Sequence, residues 1–196
     1  DDALNCCIRA LVEPGDPVGF LDPSYSLYAT LLRNHGARPV AVPYRDGFEF
    51  PVSELRECEA AMLMLTSPNA PSGRAFSRKE LESAIEGRSV VTVIDETYAD
   101  FSDWSAIDLQ QRYPEVIVTR SFSKSHGLAG LRIGYAVADP GVTPALHQIR
   151  DVYNVDRLAQ AGARAALDDE EYYRRKQVEI LDIKRDFERF IDTDLA

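Results

Sequence analysis

Short uncharged runs separated by helical patterns constrain this chain more than any other feature. Ala60 to Leu65 and Ser89 to Ile94 carry no charged side chain, and the second is rich in valine. A strand without an outward polar alternation has both faces buried, as parallel strands under helices do. Residues 3 to 12 read as an apolar helix closed by the turn Glu13-Pro-Gly-Asp16, and Val18 to Leu21 as a strand. A helix over about residues 24–35 ends at Gly36, a suitable left-handed cap, and Arg38 to Pro43 is the next strand. Ser77-Arg-Lys-Glu80 has the spacing of a capping box, opening a helix to Glu86 that Gly87 closes. Val116 to Thr119 and Ile133 to Ala138 are further strands. The alternation predicts an α/β fold: a three-layer α/β/α sandwich with a mostly parallel sheet.

With 196 residues, 45% of them hydrophobic, the chain can bury a sizeable core, and one domain over residues 1–196 is expected. The net charge of −10 and the lack of a basic stripe argue against a nucleic-acid partner. No apolar run approaches membrane-spanning length and no signal-peptide pattern opens the sequence, so no membrane partner is expected. Cys6, Cys7 and Cys58 are odd in number and lack metal-ligand spacing, which reads as reduced thiols in the cytoplasm. Asp168-Asp-Glu-Glu171 and Tyr172-Tyr-Arg-Arg-Lys176 look like the start and solvent face of a helix. Asp1-Asp-Ala-Leu4 and Phe187-Glu-Arg-Phe-Ile191 both lie inside helical patterns, so the sequence reads as part of something larger.

In a parallel sheet, ligands sit beyond the carboxyl ends of the strands. Tyr25, the loop over residues 67–73, Asp95, Tyr98 and a lysine loop all follow predicted strands. That loop lies in Arg120-Ser-Phe-Ser-Lys-Ser-His-Gly-Leu-Ala-Gly-Leu-Arg-Ile-Gly-Tyr135. A lysine amine condenses with an aldehyde once desolvation or a nearby cation deprotonates it. Ser121, Ser123 and Arg132 offer hydroxyls and a fork for a phosphate, and Arg132 could supply the positive field. Asp95 follows Val90-Val-Thr-Val-Ile94, where its carboxylate can pair with a pyridine nitrogen. Together these are the needs of pyridoxal 5'-phosphate.

Each residue alone has an ordinary explanation. Lys124 would be a solvated lysine, Asp95 a turn or cap residue, and Tyr98 a half-buried tyrosine. Tyr25, after Pro23 at a helix start, could stack on a flat cofactor or be a core aromatic. Asp1 and Asp2 open a helix whose amides could hold a phosphate, or they complement its dipole. The ordered set favours the cofactor.

Other chemistries fit less well. Gly127, Gly130 and Gly134 lack the G-x-G-x-x-G spacing, and no phosphate loop of the G-x-x-x-x-G-K-[ST] type is present. His35, His126 and His147 stand in unrelated contexts, and no serine occupies a nucleophile elbow. Glu96 and Asp100 have no histidine nearby, so no metal is assigned. His126 is expected only at the periphery of the lysine loop.

On these residues the chain resembles fold-type I pyridoxal-phosphate aminotransferases of class I/II, most closely the histidinol-phosphate aminotransferase group. The resemblance runs from Asp1 through Glu13-Pro-Gly-Asp16, Pro23-Ser-Tyr25, Ser67-Pro-Asn-Ala-Pro-Ser-Gly73, Asp95-Glu-Thr-Tyr98 and Arg120 to Tyr135. It continues into Tyr153-Asn-Val-Asp-Arg-Leu-Ala-Gln160. The resemblance implies that Lys124 binds the cofactor covalently and then shuttles a proton between the substrate's alpha carbon and the cofactor's C4' carbon. It implies that Asp95 pairs with the ring nitrogen, Tyr98 with the phenolic oxygen, and that Tyr25 stacks on the ring. Ser121, Ser123, Arg132 and the helix end at Asp1 would hold the phosphate. The implied activity is transamination, with histidinol phosphate as amino donor and 2-oxoglutarate as 2-oxo acid, in a cytoplasmic homodimer.

The family usually has asparagine just before the Pro-Thr/Ser-Gly turn, contacting the phenolic oxygen; here that position is Ala70. Asn69 is adjacent but expected to face differently, so Tyr98 should carry more of the contact. The resemblance makes the chain a cofactor-binding large domain, with residues 168–196 a helix leading toward a small carboxyl-terminal domain. Decarboxylases acting on threonine phosphate and aromatic aminotransferases share this fold, and a non-catalytic regulatory module that keeps the cofactor is a third alternative.

Overall fold

The computed structural model describes residues 1–194 and divides into two compact units. The first comprises Asp1–Ser121 with Gly134–Asn154, and the second Phe122–Ile133 with the residues from Val155 onward.

In the first unit, helices and strands alternate as α1 (Asp2–Leu11), β1 (Pro17–Asp22), α2 (Leu27–His35), β2 (Arg38–Pro43), α3 (Val52–Glu57) and β3 (Met62–Thr66). There follow α4 (Arg78–Ile85), β4 (Val91–Asp95), α5 (Ile107–Gln110), β5 (Val116–Ser121), β6 (Gly134–Val137) and α6 (Thr143–Ile149). The strands form one six-stranded sheet in the order β2-β1-β3-β4-β5-β6. All neighbours are parallel except β5 and β6, which are antiparallel. The expected mostly parallel α/β architecture is therefore the one observed.

Alternation along the strands gives each sheet face its own core. Val18, Phe20, Met62, Met64, Val93 and Ile117 pack against Leu4 and Ile8 of α1, Tyr28 and Leu32 of α2, and Leu146 of α6. Leu21, Leu63, Leu65, Ile94, Val116 and Val118 face Leu55, Leu81, Ile85 and Leu109 from α3, α4 and α5. Every residue of β3 is buried, as its uninterrupted apolar run requires.

Local signals operate as read. Gly36 caps α2 in the left-handed region at φ 86°. The Ser77–Glu80 capping box forms, with hydrogen bonds in both directions between side chains and backbone. Gly134 is needed for another reason: a Cβ there would lie 2.6 Å from the Arg120 carbonyl oxygen across the antiparallel pair.

Some boundaries differ. The helix expected from about residue 24 begins at Leu27, because Ser24 and the Pro23 carbonyl are hydrogen-bonded to Asn69 rather than entering a helical turn.

The second unit holds the lysine loop, α7 (Arg157–Asp168) and α8 (Glu170–Asp194). Asp156 caps α7 through the amides of Leu158 and Ala159. Asp168, expected to open the last helix, instead ends α7, and Glu170 and Glu171 begin α8 with ion pairs to Arg174 and Arg175 one turn on. Among the described residues, no helix is long and apolar enough to cross a membrane.

Candidate functional site

Asp95 ends β4, and its register partners are Thr66 on β3 and Thr119 on β5. Paired residues of parallel strands project to the same face. This places a polar row, Thr66, Asp95 and Thr119, at the carboxyl edge of the sheet above the core shared with α1 and α2. All three are at least 96% buried.

The Asp95 carboxylate is held from two directions. Oδ1 accepts hydrogen bonds from the Thr97 amide at 3.0 Å and the Thr97 hydroxyl at 2.7 Å. Oδ2 accepts one at 2.9 Å from the hydroxyl of Tyr28, which is fully buried on α2. Burial first, and the Asp95 charge second, push the Tyr28 phenol well above its ordinary range, so it stays a proton donor. Among the described residues, the hydrogen-bond partners of Asp95 are all uncharged. A buried carboxylate without a cation is costly. The carboxyl edge of the sheet at Asp95 is thus complementary to a cationic N–H donor. Beside it, the buried Thr119 hydroxyl has no hydrogen-bond partner among the described residues, so this edge holds an unsatisfied polar group of its own.

Behind Asp95 the polar contacts continue. The Tyr28 and Thr66 hydroxyls lie 2.5 Å apart, and Ser24 Oγ lies 3.0 Å from Thr66 Oγ1. Ser24 donates to Asn69 Oδ1 at 2.9 Å, while Asn69 Nδ2 donates to the Pro23 carbonyl and to Ser72 Oγ. The Asn69 amide is therefore fully engaged in tying the 67–73 loop to the segment before α2. It does not substitute for a group missing at Ala70.

Tyr25 is half-buried; its ring meets that of Tyr28 edge-on at 5.7 Å, and its hydroxyl donates to Asp1 Oδ1 at 3.0 Å. Two candidate residues are thus joined at the start of α1. Tyr98 is half-buried at the turn following Asp95, preceding a short 3-10 segment. Ser121 ends β5, in register with Gly134.

Glu96 and Asp100, read from sequence only as poor metal ligands, serve the scaffold. Arg120 donates to both, and Glu96 also accepts from Ser105 and the Ala106 amide. Burial works to lower the Arg120 guanidinium, but the charges of Glu96 and Asp100 outweigh it and hold it above its usual value. Among the described residues no cluster of His, Cys, Asp and Glu could hold a metal ion.

Ser123, Lys124 and Arg132 belong to the second unit. Lys124 is exposed on a tight turn, with the Gly127 amide bonded to its carbonyl and Gly127 at φ 63°. Arg132 adopts a left-handed backbone at φ 50° and donates to the Ala129 carbonyl. His126 packs its ring between Phe122 and Tyr173 and contacts Ser125 Oγ, a structural position.

Sequence reading missed Tyr28, Thr66, Thr97 and Thr119. The local signal for Thr97 was its place two residues after an aspartate at a strand end. Tyr28 looked like any aromatic on a buried helix face.

A family model for aminotransferases of class I and II matches residues 1–190. Histidinol-phosphate aminotransferase from Geotalea daltonii is 48% identical over 177 residues, which are 89% of this chain and 50% of that protein. The enzyme of the same name from Geobacter sulfurreducens is 45% identical over 173 residues, 88% of this chain and 49% of that one. The chain thus spans about half the length of these relatives. The crystal structure of histidinol-phosphate aminotransferase from Sinorhizobium meliloti, in complex with pyridoxal-5'-phosphate, superposes with a TM-score of 0.86 at 28% identity, covering 96% of this chain and 54% of that one. Matched over nearly its full length, the chain belongs to the class I and II aminotransferase family.

Proposed function

We propose that this chain is the cofactor-binding part of a pyridoxal-phosphate-dependent aminotransferase acting on histidinol phosphate and 2-oxoglutarate. The observation that carries the cofactor is Asp95: a buried carboxylate whose hydrogen-bond partners among the described residues are all uncharged fits the protonated nitrogen of a pyridine ring. The orphaned Thr119 hydroxyl leaves room for a further polar contact at the same edge. The names of the relatives support the choice of substrate.

When bound, the cofactor supplies an electron sink for the carbanion left when the amino donor loses its alpha proton. Lys124 is the residue proposed to attach it through Nζ, and afterwards to take and return that proton. Asp95 keeps the ring nitrogen protonated, and Tyr98 hydrogen-bonds the phenolic oxygen. Tyr25 covers the ring. Ser121, Ser123, Arg132 and the amino end of α1 at Asp1 bind the phosphate. The reading extends to a homodimer working in the cytoplasm, where the three free thiols would persist.

The test is an absorption spectrum of the intact protein mixed with pyridoxal phosphate, followed by borohydride trapping and peptide mapping. Label on Lys124, a visible band lost in Lys124→Ala, and glutamate formation from histidinol phosphate and 2-oxoglutarate are expected. Trapping on another lysine, or carbon dioxide release from threonine phosphate, overturns the assignment.

A further inference from the structure

We infer that Tyr28 is a positioning residue for Asp95, acting as the end of a directed hydroxyl relay that runs from Thr66 through Tyr28 to the carboxylate. The inference rests on the cofactor reading above.

The direction follows from counting protons. A hydroxyl carries one proton and can accept on its lone pairs. Asp95 Oδ2 accepts from Tyr28 at 2.9 Å, which uses the phenol's only proton. The 2.5 Å contact between Tyr28 and Thr66 must then be made by the Thr66 proton. Thr66 has none left for Ser24, 3.0 Å away, so it can only accept there. Ser24 in turn divides its proton between Thr66 and Asn69 Oδ1, at 2.9 Å. Between the two terminal acceptors lie three hydroxyls and four contacts, one proton short of completion. The deficit falls at Ser24, the end remote from the charge.

Two consequences follow. Successive donors aligned toward a charge polarise one another, so Tyr28 is a stronger donor than an isolated phenol. Second, the carboxylate is clamped: Thr97 holds Oδ1 from the adjoining turn, and Tyr28 holds Oδ2 from α2. With both oxygens pinned, the group cannot rotate, and it meets a cationic N–H in a fixed orientation. Neither relay residue is charged, so the device leaves the negative charge for the ligand to neutralise.

Tyr28→Phe removes the hydroxyl and keeps the ring that packs against Phe20 and Tyr25. In cofactor-free protein carrying carbon-13 at the aspartate carboxyls, the Asp95 signal, assigned with Asp95→Asn, should move. In the intact protein, Tyr28→Phe should weaken pyridoxal phosphate binding about tenfold and lower kcat about tenfold while KM for the amino donor changes less than about twofold, the loss of one hydrogen bond to a charged group. Thr66→Val, which breaks the relay one step back, should do the same about threefold and serves if Tyr28→Phe does not fold. An unmoved Asp95 signal, or unchanged cofactor affinity in a folded variant while Asp95→Asn still loses it, overturns the relay and leaves the cofactor reading intact. Failure of the unsubstituted protein to bind pyridoxal phosphate overturns both.

Discussion

The Arg120 guanidinium donates twice to one oxygen of Glu96, from Nε at 3.0 Å and from Nη2 at 2.8 Å. Its remaining arm reaches Asp100 at 3.0 Å. The pair joins the end of β5 to the turn that follows Asp95, and Glu96 is almost fully buried. Removing one partner of such a pair strands the other. Arg120→Ala should therefore destabilise the fold by about 3 kcal/mol, and Arg120→Lys by less, because the lysine keeps the charge and loses the fork. Urea unfolding midpoints check this; equal midpoints for Arg120→Ala and the parent would contradict it.

The capping box of α4 gives a pH-dependent contribution. Burial acts to raise the Glu80 carboxyl, but hydrogen bonds from Ser77 and Arg74 outweigh it and hold it below its usual value. A carboxyl lowered on folding stabilises above its unfolded pKa, and that contribution disappears as pH falls through the folded value. The stability difference between the parent and Glu80→Gln should be full near pH 7 and shrink in acid, as pH falls below the usual glutamate range through the lowered folded value, with Ser77→Ala costing about 1 kcal/mol at neutral pH. A difference that persists in acid would show that the charge is not responsible.

Thiol chemistry separates the three cysteines. Burial, with Cys6 beside it, pushes the Cys7 thiol up to about 12, and burial also raises Cys6 and Cys58. Since the thiolate is the reactive form, Cys7 should resist alkylation at about pH 8 until the protein is unfolded, whereas half-buried Cys58 should react first. Mass spectrometry after timed iodoacetamide treatment reads the order.

The loop over residues 67–73 offers a gain-of-affinity test. Asn69 is occupied by Ser24, Pro23 and Ser72, so the amide absent at Ala70 is not replaced by its neighbour. On the proposed cofactor reading, Ala70→Asn should tighten pyridoxal phosphate binding by about threefold to tenfold, the yield of one added neutral hydrogen bond. Asn69→Ala should instead loosen the loop and speed its proteolysis. Equilibrium dialysis, and limited trypsin digestion read as cleavage after Arg74 at the end of the loop, distinguish the two effects.

How much was legible depended on range. Uncharged runs located β3 and β4, and the short-range signals at Gly36 and Ser77–Glu80 operate as read. Asp95 was legible because a carboxylate after a valine-rich strand is locally anomalous. Tyr28 was not, since its meaning lies in an oxygen 67 residues away. The first turn expected for α2 was lost for the same reason: Ser24 and Pro23 answer to Asn69, more than forty positions downstream. Arg120 was noticed only as the head of a motif, while its partners were weighed as metal ligands, because charge pairing across strands leaves no periodicity. The antiparallel direction of β6 was likewise invisible, although the glycine it requires stood in the motif.

The polar row around Asp95 also bears on how the protein acquires its native state. Tyr28 reaches the carboxylate from α2 and Thr66 reaches Tyr28 from β3, and the Tyr28–Asp95 contact closes a loop of 67 residues. Closing long loops costs chain entropy that is repaid only after the intervening strands have paired. Helices and capping boxes can form early, but the Tyr28–Asp95 hydrogen bond must await the docking of β1, β3 and β4. Formation of that bond, followed by the carboxylate's carbon-13 signal during refolding, would mark one of the last events on the route to the native state.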